Sequence, residues 1–249
     1  MPSDLAFYAV AIPAVLIFGI SKGGFGGGLG IAAVPLMALA VSPAVAAGIL
    51  LPLLMLMDAI GVWAYRRRFD HRIVRAMLPG ALAGITSASL AFHYLDDDLI
   101  RVLLGLIATG FAADYFLRNK RTAPPRRHSP KRAAFWGGVA GFTSTVAHAG
   151  GPSFQIYVLP QQLPKMMFAG TSTILFALLN LSKVPPYIAL GLMHWGQTST
   201  ILLLAPVAVF GAWAGYRLTL IIPEKGFFVL VDVALLAISL MLIQAGLSG

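Results

Sequence analysis

The chain has 249 residues, 58% hydrophobic and 11% charged, with a mean hydropathy of +0.83 and a net charge of +9. A soluble domain carries about a quarter charged residues, and so few polar groups cannot cover a surface that faces water. The chain has no cysteine, which excludes disulfides, thiolate metal sites and cysteine nucleophiles.

Residues 5–41 open the chain with an apolar run too long for one span, since a span needs about 20 apolar residues. The run has no basic segment ahead of it and no A-x-A site followed by a soluble domain, so it reads as a retained membrane segment. It is broken by Ser21-Lys22-Gly23-Gly24-Phe25-Gly26-Gly27-Gly28-Leu29-Gly30. Glycine this dense opposes helix, and non-helical backbone at membrane depth survives only against protein or a wet cavity. Segment 43–65 is an ordinary span, with Ser42 as N-cap and Pro43 in the first turn. Spans 73–93 and 98–117 follow, separated by the acidic Asp96-Asp97-Asp98. Residues 133–160 are interrupted again, by Thr143-Ser144-Thr145-Val146-Ala147-His148-Ala149-Gly150-Gly151-Pro152. Spans 166–190, 198–218 and 226–246 complete the chain.

The expected fold is an all-α polytopic membrane protein with six full spans and two interrupted or re-entrant segments, about eight transmembrane segments in all. Basic residues cluster at 66–75 (Arg66, Arg67, Arg68, Arg72, Arg75) and at 118–132 (Arg118, Lys120, Arg121, Arg126, Arg127, Lys131, Arg132). Both clusters lie between apolar segments, so they read as cytoplasmic loops and not as a nucleic-acid surface.

The two halves repeat. A shift of 122 residues lays Gly19 on Gly141, Ser21 on Thr143, Gly28 on Gly150, Ala47-Gly48 on Ala169-Gly170, Asp58 on Asn180 and Tyr65 on Tyr187; a shift of 127 lays Pro79 on Pro206 and Gly84 on Gly211. The expected division is a first repeat at 1–118, a basic linker at 119–132 and a second repeat at 133–249. Loop charge reverses between halves: 66–75 is basic and its counterpart 191–197 has no Lys or Arg, whereas the counterpart of the acidic loop carries Arg217 and Lys225 against Glu224. That favours inverted repeats, with a substrate site where the two broken segments meet.

A broken helix presents unpaired N–H groups and a positive dipole end, and glycine lets an anion approach them. The first segment offers Ser21, Lys22, Gly23, Gly24, Gly26 and Gly27. Lys22 reads as an anion ligand or as a lysine in interfacial water. The second offers Thr143, Ser144, Thr145, His148, Gly150 and Gln155, with His148 an anion donor, a proton carrier or a structural histidine. Asn180 and Lys183 lie one helical turn apart and face one side. Asp58 reads as an ion-coupling carboxylate or as an internal partner of Lys22 or Lys183. Asp114 and Asp232 read as structural. Ser144 with His148 lacks the acid of a hydrolytic triad, no metal-ligand spacing is present, and no G-x-x-x-x-G-K-[ST] loop occurs. The expectation is therefore no enzyme, metal or cofactor.

The stretch Gly19 to Gly30, Pro35 and the stretch Gly141 to Pro152 resemble the TauE/SafE family of sulfite and organosulfonate transporters, over residues 7–246. The resemblance implies transport of a small sulfur-containing anion, often outward, across the bacterial inner membrane, with the two glycine-rich motifs lining the pathway. Its expected partners are that anion and membrane lipid. An uncoupled anion channel and a non-transporting membrane scaffold are the alternatives.

Overall fold

The computed structural model describes residues 5–27, 33–37, 40–94, 125–193, 195–230 and 233. Span 98–117, the acidic loop at 95–98, Gly28, residues 118–124 of the linker and most of span 226–246 lie outside the described residues. The longer elements are α1 (Leu5–Lys22), α2 (Ala33–Met37), α3 (Pro43–Tyr65), α4 (His71–Ala91), α5 (Pro130–Ala147), α6 (Gly151–Val158), α7 (Lys165–Ala189) and α8 (Thr198–Ile221). Among the described residues there is no strand. Among the described residues five helices, at 5–22, 43–65, 71–91, 165–189 and 195–221, are long and apolar enough to cross a membrane. The chain is a multi-pass helical membrane protein.

Local chemistry sets the helix ends. Ser42 accepts from the Val45 N–H, with Pro43 in the first turn of α3, and Asp70 accepts from the Arg72 and Ile73 N–H groups at the start of α4. Both caps satisfy donors that the first turn leaves free. The two breaks close alike. After α1 the Gly27 N–H reaches back to the Ser21 carbonyl, and after α5 the Ala149 N–H reaches back to the Thr143 carbonyl. The first turn uses left-handed glycines, Gly26 and Gly27; the second puts His148 at φ 54°.

Small residues bring the helices together. α4 runs parallel to α5, with Gly80 against Ala134, Gly84 against Gly138, Gly137 against Met77 and Gly141 against Ala81. α1 runs parallel to α8, with Gly19 against Gly211, Gly215 against Ile20 and Gly24 against Thr219. Without a hydrophobic force between helices in lipid, such close backbone approach is what dispersion packing requires. α3 and α7 cross at the centre and are antiparallel: Gly48 meets Leu192, Asp58 meets Asn180, Gly61 meets Thr173 and Gly170 meets Arg68. The largest apolar clusters lie on either side of this crossing. One is built around Phe7, Phe18, Leu50 and Leu54, the other around Phe25, Phe154, Phe168 and Phe176.

Candidate functional site

Four helix segments converge at the α3–α7 crossing: the end of α1, the middle of α3, the break between α5 and α6, and the middle of α7. The α1 break leaves Lys22 at the last helical position, 8% exposed, and Asp58 on α3 is 6% exposed. Lys22 Nζ donates to Asp58 Oδ1 at 2.5 Å, and Asn180 Nδ2 donates to Asp58 Oδ2 at 2.5 Å. Both carboxylate oxygens are thus engaged, one by a cation from α1 and one by an amide from α7. The Lys22 ammonium also lies 5.4 Å from the centre of the Phe176 ring, a favourable cation–π distance. Of the two partners that the sequence offers Asp58, Lys22 is the one in contact.

Lys183 is fully buried, and its surroundings contain no carboxylate contact among the described residues. Its Nζ reaches the Ser144 carbonyl at 3.1 Å, Ser144 Oγ at 3.0 Å and His148 Nδ1 at 2.9 Å. His148 Nε2 lies 3.0 Å from the Ala47 carbonyl. A carbonyl only accepts, so Nε2 carries the hydrogen and Nδ1 is the acceptor for Lys183. The left-handed backbone at His148 aims the ring inward; that conformation costs a non-glycine residue about 1–2 kcal/mol. Ser144 Oγ partners Lys183 and not His148, so the Ser144–His148 pairing that the sequence suggests is not formed.

A small cavity lies between these groups, lined by Phe18, Lys22, Gly27, Leu54, Ser144, His148, Gly151, Phe176 and Asn180, with room for about one water molecule. The N-terminus of α6 opens onto it at Gly151, bringing the positive end of a helix dipole to the same place. Three buried side-chain oxygens on the two broken segments have no partner among the described residues: Ser21 Oγ, Ser153 Oγ and Gln155 Oε1. Gln155 ties the segments together by donating from Nε2 to the Phe25 carbonyl at 3.2 Å.

The remaining expected residues fall elsewhere. A Cβ at Gly23 would run into the Ala212 carbonyl, and one at Gly24 into Thr219, so both glycines serve the α1–α8 contact. Gly26 packs on Phe168 and Gln155, and Gly150 on the Ala140 carbonyl and Phe176. Thr143 and Thr145 are buried, but their hydroxyls donate to their own helix at Val139 and Gly141. The lining also includes Phe18, Leu54 and Phe176, apolar side chains that composition does not distinguish from core. Two tyrosines support the breaks: Tyr65 donates to the Gly23 carbonyl at 2.9 Å and Tyr187 to the Thr145 carbonyl at 2.6 Å. Their shared repeat position was a signal for this role. Among the described residues no His, Cys, Asp and Glu group is placed to hold a metal.

The site thus joins two lysine amino groups, one carboxyl group, an imidazole, hydroxyls and a helix N-terminus around a small space. A family model described as sulfite exporter TauE/SafE matches residues 11–242. Comparison with curated proteins and with solved structures gives no match.

Proposed function

Because the chain belongs to the sulfite exporter TauE/SafE family of membrane transporters, we propose that it carries a small sulfur-containing anion, sulfite or an organosulfonate, outward across the bacterial inner membrane by alternating access. The observation that carries this reading is a surplus of buried lysines over buried carboxylates. Among the described residues the buried lysines and carboxylates are Lys22, Lys183 and Asp58. Asp58 neutralises Lys22, and Lys183 has only neutral partners. Lys183 is costly to charge there without a counter-ion, and a bound anion would supply one. Lys22, Ser144, Asn180 and the backbone around Gly27 and Gly151 would hold it, with Asp58 beside Lys22 as that ammonium's partner.

A four-atom oxyanion needs more room than one water, so binding requires the two broken segments to part. That fits a carrier whose halves rock about a central site. In this reading the halves are inverted repeats, 1–118 and 133–249, joined by the basic linker 119–132 on the cytoplasmic side, as is loop 66–75. Support comes from matched pairs at the 122-residue shift. Tyr65 to Gly23 matches Tyr187 to Thr145, and Gly27 to Ser21 matches Ala149 to Thr143. The equivalent helices α3 and α7 run in opposite directions, as inversion requires, and the equivalent residues Asp58 and Asn180 touch where a two-fold axis would pass.

Purified protein in liposomes tests the reading. Uptake of labelled sulfite or ethanesulfonate should exceed that of empty liposomes and fall at least tenfold in Lys22→Ala. Absence of flux for every anion from folded, inserted protein would overturn it.

A further inference from the structure

The anion-transport reading leaves open how a proton would be coupled, and the surroundings of Ser144 supply an answer that rests on that reading. Thr143 and Thr145 each donate a hydroxyl hydrogen to a carbonyl one turn back, at 2.8 Å in both cases. Ser144, between them, does not. Its Oγ lies 3.0 Å from Lys183 Nζ, it has no other partner among the described residues, and Ser144 lines the cavity. Lys183 itself stands one layer behind, wholly buried. The other titratable groups around it are the paired Lys22 and Asp58, His148, and Tyr187, whose ring centre is 6.0 Å from Nζ.

Two protonation states of Lys183 fit the same atoms. An ammonium donates three hydrogens to three acceptors, the Ser144 carbonyl, Ser144 Oγ and His148 Nδ1. The Ser144 hydroxyl hydrogen is then free to point into the cavity. An amine donates two, to the Ser144 carbonyl and His148 Nδ1, and its lone pair accepts the Ser144 hydroxyl. That hydrogen is then turned away from the cavity. A proton resting on His148 Nδ1 leaves the Nζ hydrogens for both Ser144 acceptors, so the hydroxyl is free in that arrangement as well.

We propose that Lys183 takes up one proton from solvent when the anion binds, with the Ser144 hydroxyl as the coupling element. The step adds a proton to the Nζ lone pair and breaks no bond in the substrate. The anion receives the Ser144 hydrogen only when Lys183, with its partner His148, holds the extra proton, and the anion's charge offsets the cost of burying that positive charge. Linkage makes the effect reciprocal: protonation tightens anion binding as the anion favours protonation. The carried unit is the anion together with one proton, and its direction follows the sum of the two gradients.

Calorimetric titration of the purified protein with sulfite and with ethanesulfonate, in buffers of different ionisation heat, counts the protons. Ethanesulfonate has no titratable group near neutrality, and the sulfite count is corrected by that of Lys183→Arg. Wild type should take up one proton per anion and bind more weakly as pH rises. Lys183→Arg, permanently charged, should bind with no proton uptake and no such pH dependence. Ser144→Ala should bind at least tenfold more weakly. Asp58→Asn should retain proton uptake. Binding to wild type without proton uptake overturns the inference whatever the variants do, and leaves the transport reading standing. Uptake kept in Lys183→Arg and lost in Asp58→Asn also overturns it, by moving the proton to the carboxylate. No binding of either anion overturns both readings.

Discussion

The Lys22–Asp58 pair gives the sharpest stability prediction. The two side chains are 8% and 6% exposed, and the carboxylate has an ammonium on one oxygen and the Asn180 amide on the other. Removing one partner of such a pair leaves a buried charge uncompensated, which costs about 3–5 kcal/mol. Asp58→Leu should therefore destabilise the folded protein by that amount, and also free the Asn180 amide. Lys22→Met should cost a similar amount, because the carboxylate then keeps only a neutral donor. The double variant Lys22→Met/Asp58→Leu removes both charges and fills the volume, so it should recover most of the loss. The assay is thermal or denaturant unfolding in detergent, read as a double-mutant cycle. A coupling energy of at least about 2 kcal/mol is expected for two groups in one buried network. Single variants that each cost under 1 kcal/mol and simply add would refute the pair as drawn.

Other positions predict different outcomes by the same assay. Gly137 and Gly138 are neighbours on α5, but a Cβ at Gly137 meets the Met77 carbonyl whereas one at Gly138 makes ordinary contacts. Gly137→Ala should then destabilise by about 1–3 kcal/mol, while Gly138→Ala should be neutral or stabilise by up to about 1 kcal/mol through helix propensity. His148→Gly should be more stable than His148→Ala by about 1 kcal/mol, because glycine relieves the left-handed backbone and alanine does not. Both should lose anion binding through loss of the Lys183 acceptor. Tyr65→Phe and Tyr187→Phe each orphan one buried carbonyl, Gly23 and Thr145. Each should cost about 1–3 kcal/mol, and the double variant should cost their sum to within about 0.5 kcal/mol, because sites that share no partner act independently.

Much of this was legible in the chain because membrane folding leaves few options. Segment 43–65 is α3 with the same bounds, since its apolar length and the Ser42-Pro43 cap both mark where helix must begin. The dense glycine and small polar stretches at 21–30 and 143–152 mark where helix must stop, and the turns come at 23–27 and 148–150. Polar residues on apolar spans are costly against lipid, and Asp58, Asn180 and Lys183 are all buried. Partner choice was less legible, because it depends on how four segments cross. Asp58 had two lysines to choose from, and only the crossing puts Lys22 against it. Glycine roles were not legible. Gly23 and Gly24 let α8 approach, whereas Gly27 lines the cavity, and each use requires the same missing Cβ. Hydroxyls posed the same problem. Nothing local tells that Thr143 and Thr145 bond their own helix while Ser144 turns to Lys183.

Counterflow in proteoliposomes tests the central claim most directly. Vesicles are loaded with a high concentration of unlabelled sulfite and diluted into a trace of labelled sulfite. A carrier that exposes its anion site alternately to the two sides must show a transient overshoot of label inside the vesicles, and Lys22→Ala must abolish it. Label that rises monotonically to equilibrium, with no overshoot, would mark an open anion channel and contradict the account.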